Sequence, residues 1–128
     1  MKLNAVHHIA IINSDYEKTV DFYVNKLGLP LISDTPRPIK NARELMLALA
    51  DGLLLELVIM PTPPKHQDNP EAAGMRHLAF KVDSVPAALE WLHSRGIKTS
   101  DLMPIPYSEN EFVAFFWDPD GTPLELHE

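Results

Sequence analysis

The stretch GLLLELVIM, Gly52 to Met60, holds one carboxylate inside an otherwise apolar run. Apolar residues on both sides of Glu56 read as a β-strand buried on both faces. An unpaired charge in such a strand costs several kcal/mol or loses its ionisation. Glu56 therefore needs a partner, and the rest of the chain shows where to look. The same Leu-Glu-Leu phase recurs in GTPLELHE, Gly121 to Glu128. Glu125 lies 69 positions after Glu56, and Gly121 lies 69 after Gly52. Further out, HIAI begins at His8 and HLAF begins at His77, again 69 apart. In each half the histidine precedes the glutamate by 48 positions. Self-similarity at a fixed offset marks one structural unit used twice.

The local patterns repeat with it. Val6 to Ile12 is apolar and β-rich, a strand. Ser14 to Glu17 has the S-x-x-E form of a capping box, and Tyr16, Val20, Tyr23 and Leu27 then recur at helical spacing up to a stop at Gly28. Leu29 to Ser33 and Leu45 to Leu49 read as strands, Asp51-Gly52 as a tight turn, and Leu53 to Met60 as the fourth strand. In the second half, Met75 to Val82 is a strand. Ser84 caps a helix that carries Pro86 in its first turn and ends at Gly96. Ile97 to Leu102, Phe112 to Trp117 and Pro123 to His127 complete a second β-α-β-β-β unit. Pro61 to Gly74 is proline-rich and polar, a connector and not a core element. The expected fold is α+β: one domain over 1–128 made of two tandem βαβββ modules, at 1–60 and 75–128, joined by 61–74.

The bulk properties narrow the function. The chain has 128 residues, is 45% hydrophobic and carries a formal net charge of −7. That is enough for one packed domain. No basic run suits nucleic acid or an anionic membrane, and no apolar run reaches membrane-span length. There is no cysteine, which excludes disulfides and thiolate metal sites. The first residues lack a signal-peptide pattern, so the expected compartment is the cytoplasm.

The repeat makes His8, Glu56, His77 and Glu125 two equivalent pairs. Two imidazoles and two carboxylates suit one divalent first-row metal. Such an ion also explains Glu56, because it neutralises the charge and replaces the lost hydration. His7 competes with His8, but adjacent strand residues point to opposite faces. The repeat selects His8, since His7 aligns with Arg76. His127 shares a face with Glu125 and reads as either a supporting group or a solvated one.

At these residues the chain resembles the vicinal oxygen chelate superfamily, which includes glyoxalase I, methylmalonyl-CoA epimerase, extradiol dioxygenases and bleomycin or fosfomycin resistance proteins. HHIAI, DFYVNKLGL, LLLELV, RHLAFKV and DPDGTPLELHE carry the resemblance over nearly the whole chain. It implies a glyoxalase-like fold and metal ligands at His8, Glu56, His77 and Glu125. A His/Glu/His/Glu set is most similar to glyoxalase I, whereas epimerases of the family usually have glutamine in place of Glu56. The implied activity is that of a metal-dependent lyase or isomerase on a small α-oxygenated substrate, similar to a lactoylglutathione lyase. The implied metal is Zn or Ni, with Co or Mn as alternatives. Glu125 or its counterpart Glu56 would carry the proton. Ile12 and Met60 stand where glyoxalase I often has an arginine and an asparagine, and loss of that anion clamp argues against glutathione. Arg37, Lys40 and Arg43 could instead bind an acidic substrate, and Tyr107 and Trp117 could line its pocket. The other readings are a resistance-type binding protein and, against the fourth ligand Glu56, a dioxygenase. Small members of this family usually pair, which implies a homodimer.

Overall fold

The computed structural model describes residues 1–128. The chain forms two compact units, Met1–Pro64 and Lys65–Glu128. Each is a four-stranded mixed sheet with a helix after its first strand, and the first unit adds a 3-10 turn at Pro38–Lys40, so the fold is two βαβββ modules. The first unit contains β1 (His8–Asn13), α1 (Tyr16–Val20), β2 (Leu31–Arg37), β3 (Ala42–Ala48) and β4 (Leu54–Ile59). Its strand order is β1-β4-β3-β2, with β1 parallel to β4 and the other pairs antiparallel. The second unit contains β5 (Leu78–Lys81), α2 (Val85–Ser94), β6 (Met103–Pro104), β7 (Phe112–Trp117) and β8 (Pro123–His127). Its order, β5-β8-β7-β6, is the same arrangement.

The repeat holds to the residue. Ile9 pairs with Leu55 and Met46 with Glu56 in the first unit. Leu78 pairs with Leu124 and Phe115 with Glu125 in the second. Each of these positions is 69 from its counterpart. The turns that enter β4 and β8 also match. Gly52 and Gly121 have φ of 87° and 89°, a conformation that a side chain strains. At the second turn Asp118 Oδ1 accepts hydrogen bonds from the backbone N–H of Asp120 and Thr122, at 3.0 and 2.8 Å.

Strand alternation divides each sheet into a core face and an open face. On β3 and β4 the core face carries Leu45, Leu47, Leu55, Leu57 and Ile59, all buried. The helical segment contributes buried Phe22 and Tyr23. On β7 and β8 the core face carries Ala114, Phe116, Leu124 and Leu126, and α2 packs against both strands. Burial of a single such leucine stabilises the fold by roughly 1.5–3 kcal/mol. Glu56 therefore does not lie in a strand buried on both faces: its neighbours Leu55 and Leu57 are buried, while Leu54, Glu56 and Val58 are half-buried. The apolar run reflects a helix-covered face plus a partly shielded open one.

Several element boundaries differ from the sequence expectation, for identifiable reasons. The first helix is α-helical only to Val20 and continues as π-helical turns over Asp21–Lys26. The N–H of Leu27 bonds Phe22 O at 2.9 Å, five residues back. The wider turn lets consecutive Phe22 and Tyr23 both be buried, edge to face with centroids 5.0 Å apart. The N-cap is Asp15 and not Ser14, because Asp15 Oδ1 accepts from the Lys18 N–H at 3.0 Å. Strand β2 begins later than expected and runs on through Pro36 to Arg37, which its edge position tolerates. Ile97 to Leu102 is not a strand. Thr99 makes one bridge to Phe116, and the short β6 that follows is limited by Pro104 and Pro106. Ser84 caps α2 as expected, accepting from the Ala87 N–H at 3.3 Å.

Candidate metal centre

Both glutamates project from the open face of their sheet, in the strand next to the one that their histidine leads into. In the first unit Ala10 and Met46 flank Glu56 in register. In the second, Ala79 and Phe115 flank Glu125. The small alanines leave room over each carboxylate. His8 Nε2 lies 3.2 Å from Glu56 Oε2, and His77 Nε2 lies 2.6 Å from Glu125 Oε2. The second pair is the more shielded: Glu125 is 10% exposed in its side chain against 20% for Glu56, and His77 27% against 42% for His8.

The ring orientations are set by neighbours. His8 Nδ1 is 2.8 Å from His7 Nδ1, so one nitrogen donates and the other accepts. With His7 donating, His8 accepts on Nδ1 and turns its Nε2–H toward the Glu56 carboxylate. The His77 ring stands edge-on to Phe115, with centroids 5.3 Å apart at 82°. Its Nδ1 is 3.4 Å from Arg76 Nη1.

The structure thus brings His8 to Glu56 and His77 to Glu125. No group of three or more His, Asp or Glu side chains gathers at one point in the chain. Each unit offers a two-donor half-site. Ligands bound at about 2.1 Å with angles of 90–109° stand roughly 3.0–3.4 Å apart. The His8–Glu56 separation has that spacing already, and the His77–Glu125 pair reaches it by opening slightly. Nitrogen and carboxylate-oxygen donors without thiolate suit Zn, Ni, Co or Mn.

A cavity of about 260 Å³ lies beside His77 within the second unit. Phe115, Trp117 and Pro123 from the open face form one side, and Met75, Arg76 and Glu71 from the segment before β5 form another. The connector, expected only to join the modules, is therefore a wall. Trp117 lines this cavity. Tyr107 does not, and at 95% exposure it stands in solvent. Arg43 is occupied elsewhere. It makes a two-pronged contact with Asp34, whose second oxygen accepts from Nη2 at 2.9 Å, and its guanidinium sits 4.5 Å over the Tyr16 ring. The Arg43 hydrogen bonds hold the Asp34 carboxyl below the usual carboxylate range, and the bond to Asp34 raises the Tyr16 hydroxyl. Arg37 is likewise paired, with Glu44. Sequence reasoning passed over Phe115 and the connector wall. Phe115 was accessible by counting two residues back from Trp117 along a strand, whereas the wall follows from the path of the loop and has no local signal.

Residues 5–126 match the profile of the Glyoxalase/Bleomycin resistance protein/Dioxygenase superfamily, and the chain belongs to that family. The protein YwkD of Bacillus subtilis is 48% identical over 128 residues, covering 100% of this chain and 99% of YwkD. The crystal structure of a glyoxalase family protein from Enterococcus faecalis superposes with a TM-score of 0.92 at 41% identity, covering both chains fully. TnmS3, an antibiotic binding protein from Streptomyces sp. CB03234, is 30% identical with a TM-score of 0.77, covering 99% of this chain and 97% of its own. Members of the family include metalloenzymes and binding proteins, and the fold does not decide between them.

Proposed function

We propose that this protein is a divalent-metal-dependent enzyme of the lyase or isomerase type that moves a proton at a carbon beside an oxygen atom of a small α-oxygenated substrate. The observation that carries the reading is the matched pair of half-sites, each an imidazole Nε2 facing a carboxylate at the same register. His8, Glu56, His77 and Glu125 would hold the ion, with the two half-sites supplied by one chain or by two copies in a homodimer. Bound there, a Zn, Ni, Co or Mn ion supplies Lewis-acid polarisation of a substrate oxygen and so acidifies the neighbouring C–H.

The chain's own residues do the rest. Glu125, the more shielded carboxylate, takes the proton at Oε2 and returns it to the neighbouring position, acting first as base and then as acid. Glu56 is its counterpart across the duplication. Phe115 limits rotation of His77, and the cavity beside Trp117 excludes water from the substrate's apolar part. Two measurements test this. Protein purified without chelator should contain close to one equivalent of a divalent metal per chain by elemental mass spectrometry. In D₂O it should exchange the α-hydrogen of 2-oxo or hemithioacetal substrates, as read by proton NMR. Absence of metal after soaking with divalent ions removes the reading.

The alternative is a resistance-type binding protein. The cavity with its aromatic wall supports it, as does the likeness to an antibiotic binding protein. Stoichiometric binding without turnover in the same assays would favour it. Light scattering tests the homodimer separately.

A further inference from the structure

The two units place histidine and glutamate at the same register, so the residues that differ around them carry information. One pleat beyond Ala10 and Glu56, the first unit has Ile12 opposite Val58. At the matching positions the second unit has Lys81 opposite His127. Paired residues on neighbouring strands share a face. Lys81 is two residues from Ala79, the partner of Glu125, so Lys81 and His127 lie on the face of the His77–Glu125 pair. The apolar end of one half-site has become a cationic and polar end in the other.

The Lys81 side chain makes no ion pair or hydrogen bond, unlike the side chains of the chain's arginines. Arg37 is paired with Glu44, Arg43 with Asp34 and Arg76 with Glu71. His127 is oriented: its Nδ1 lies 2.7 Å from the backbone oxygen of Glu128 and donates to it. With Nδ1 engaged, Nε2 is the ring nitrogen left for a ligand. A lysine on an edge strand has an ordinary role, discouraging edge-to-edge pairing. Strand β1 occupies the equivalent edge, however, and carries Ile12 at this position, 52% exposed. Edge protection therefore does not demand a charge here.

We propose that Lys81, with His127 beside it, is the anion subsite of the second unit's open face, and that the substrate carries a distal carboxylate, phosphate or phosphonate in addition to its reacting oxygen. This rests on the reading above for where the reacting oxygen lies. Two residues along a strand span about 6.6 Å. The long Lys81 side chain can reach back over part of that span, so an anionic group a few bonds from the reacting carbon falls within its reach, on the side away from the Trp117 cavity. Nε2 of His127 offers a second polar contact next to that group.

The test compares 2-hydroxyglutarate, which has a distal carboxylate, with lactate, which lacks it. Affinities are measured by calorimetry on the zinc-loaded protein and on its Lys81→Met, Lys81→Arg and Arg76→Met variants, each checked for metal content and fold. The expected result is about a ten-fold preference for 2-hydroxyglutarate. It should collapse in Lys81→Met and persist in Lys81→Arg and Arg76→Met. A preference that is absent in the wild type, survives in Lys81→Met, or is lost only in Arg76→Met overturns the proposal. A parallel NMR titration with glutarate on the metal-free chain separates the two readings. If the protein takes up no metal, but glutarate shifts the Lys81 and His127 amide signals in the wild type and not in Lys81→Met, the enzyme reading fails and the subsite stands. If glutarate shifts neither signal, the subsite is refuted whatever the metal content.

Discussion

Replacing each glutamate with glutamine tests the half-sites unequally, and the inequality is predictable. Glutamine preserves the shape of the side chain and its carbonyl oxygen, so the strands keep their register. The loss is the charge. Without metal, a charge-assisted bond to histidine becomes a neutral one, a change of about 1 kcal/mol. For Glu56 the change is smaller still, because His8 is 42% exposed and the pair stands 3.2 Å apart. With metal the effect is larger. Supporting groups behind metal ligands typically contribute 10–100-fold in affinity, and a direct carboxylate ligand contributes at least that. Glu125 is 10% exposed and flanked by Phe115, so little water can replace it. Glu125→Gln should therefore weaken zinc binding by about 100-fold or more, and Glu56→Gln by at least about 10-fold. Competition with a fluorescent chelator measures both, and circular dichroism confirms that both variants are folded. Equal, unchanged affinities in two folded variants would refute the assignment of these carboxylates as ligands. A larger effect for Glu56→Gln would refute the argument from burial.

Three further outcomes follow from other contacts. Glu128 accepts from the N–H of Val85 at the start of α2 and from the N–H of Phe112 at the start of β7, at 2.9 and 3.1 Å; Glu128→Ala leaves both donors without that partner and should cost about 2 kcal/mol in urea unfolding, with Glu128→Gln intermediate. Asp34 has a folded carboxyl held below its ordinary value by Arg43, so its contribution is present above the unfolded carboxylate range and is lost as pH falls through the folded value; wild type and Asp34→Asn should accordingly converge in melting temperature in acid and separate toward neutral pH. His7 touches His8 but not the carboxylate, so His7→Ala should weaken metal binding by less than ten-fold, whereas His8→Ala should weaken it by far more.

The repeat was legible because it is written in residue identity. Histidine, glutamate and the turn glycine recur at one offset, and strand pairing preserves that offset in register. Strands β4, β7 and β8 were legible from apolar runs bounded by turn residues. The π-helical turns were not, because they answer a packing need of two adjacent aromatics and not a local propensity. Glu56 was misplaced in depth for a similar reason. Leu54 and Val58 are apolar yet half-buried, and composition cannot distinguish a shielded open face from a core. Arg43 read as available because its partners, Asp34 and Tyr16, reach it only once β2 pairs with β3 and the helix returns. The proposed metal half-sites were legible as residue types. Each histidine meets the glutamate of its own unit, because strand pairing places both on one open face.

On the proposed reading, duplication would give a metal two equivalent half-sites, whereas an α-oxygenated substrate has two unlike ends. Something must therefore break the symmetry, and it must do so beside the ligands without disturbing them. The open faces show where. Met46 beside Glu56 corresponds to Phe115 beside Glu125, Ile12 to Lys81, and Val58 to His127. Each change leaves strand pairing intact, because the altered side chains point away from the core. Each also increases what the second unit can bind: an aromatic wall at one end and an unpaired ammonium at the other. The first unit stays apolar at those positions. If Lys81 is the anion subsite, a substrate with an anionic group would find its favourable pole on the second unit, beside Glu125. The choice of proton carrier would then follow from Lys81 through orientation. If Lys81→Met lets the substrate reverse, Glu56 should recover part of the exchange lost in Glu125→Gln. The double variant would then exchange the α-hydrogen faster than Glu125→Gln alone. A double variant no faster than the single one would mean that the asymmetry of the two carboxylates lies in their own burial and not in the pole beside them.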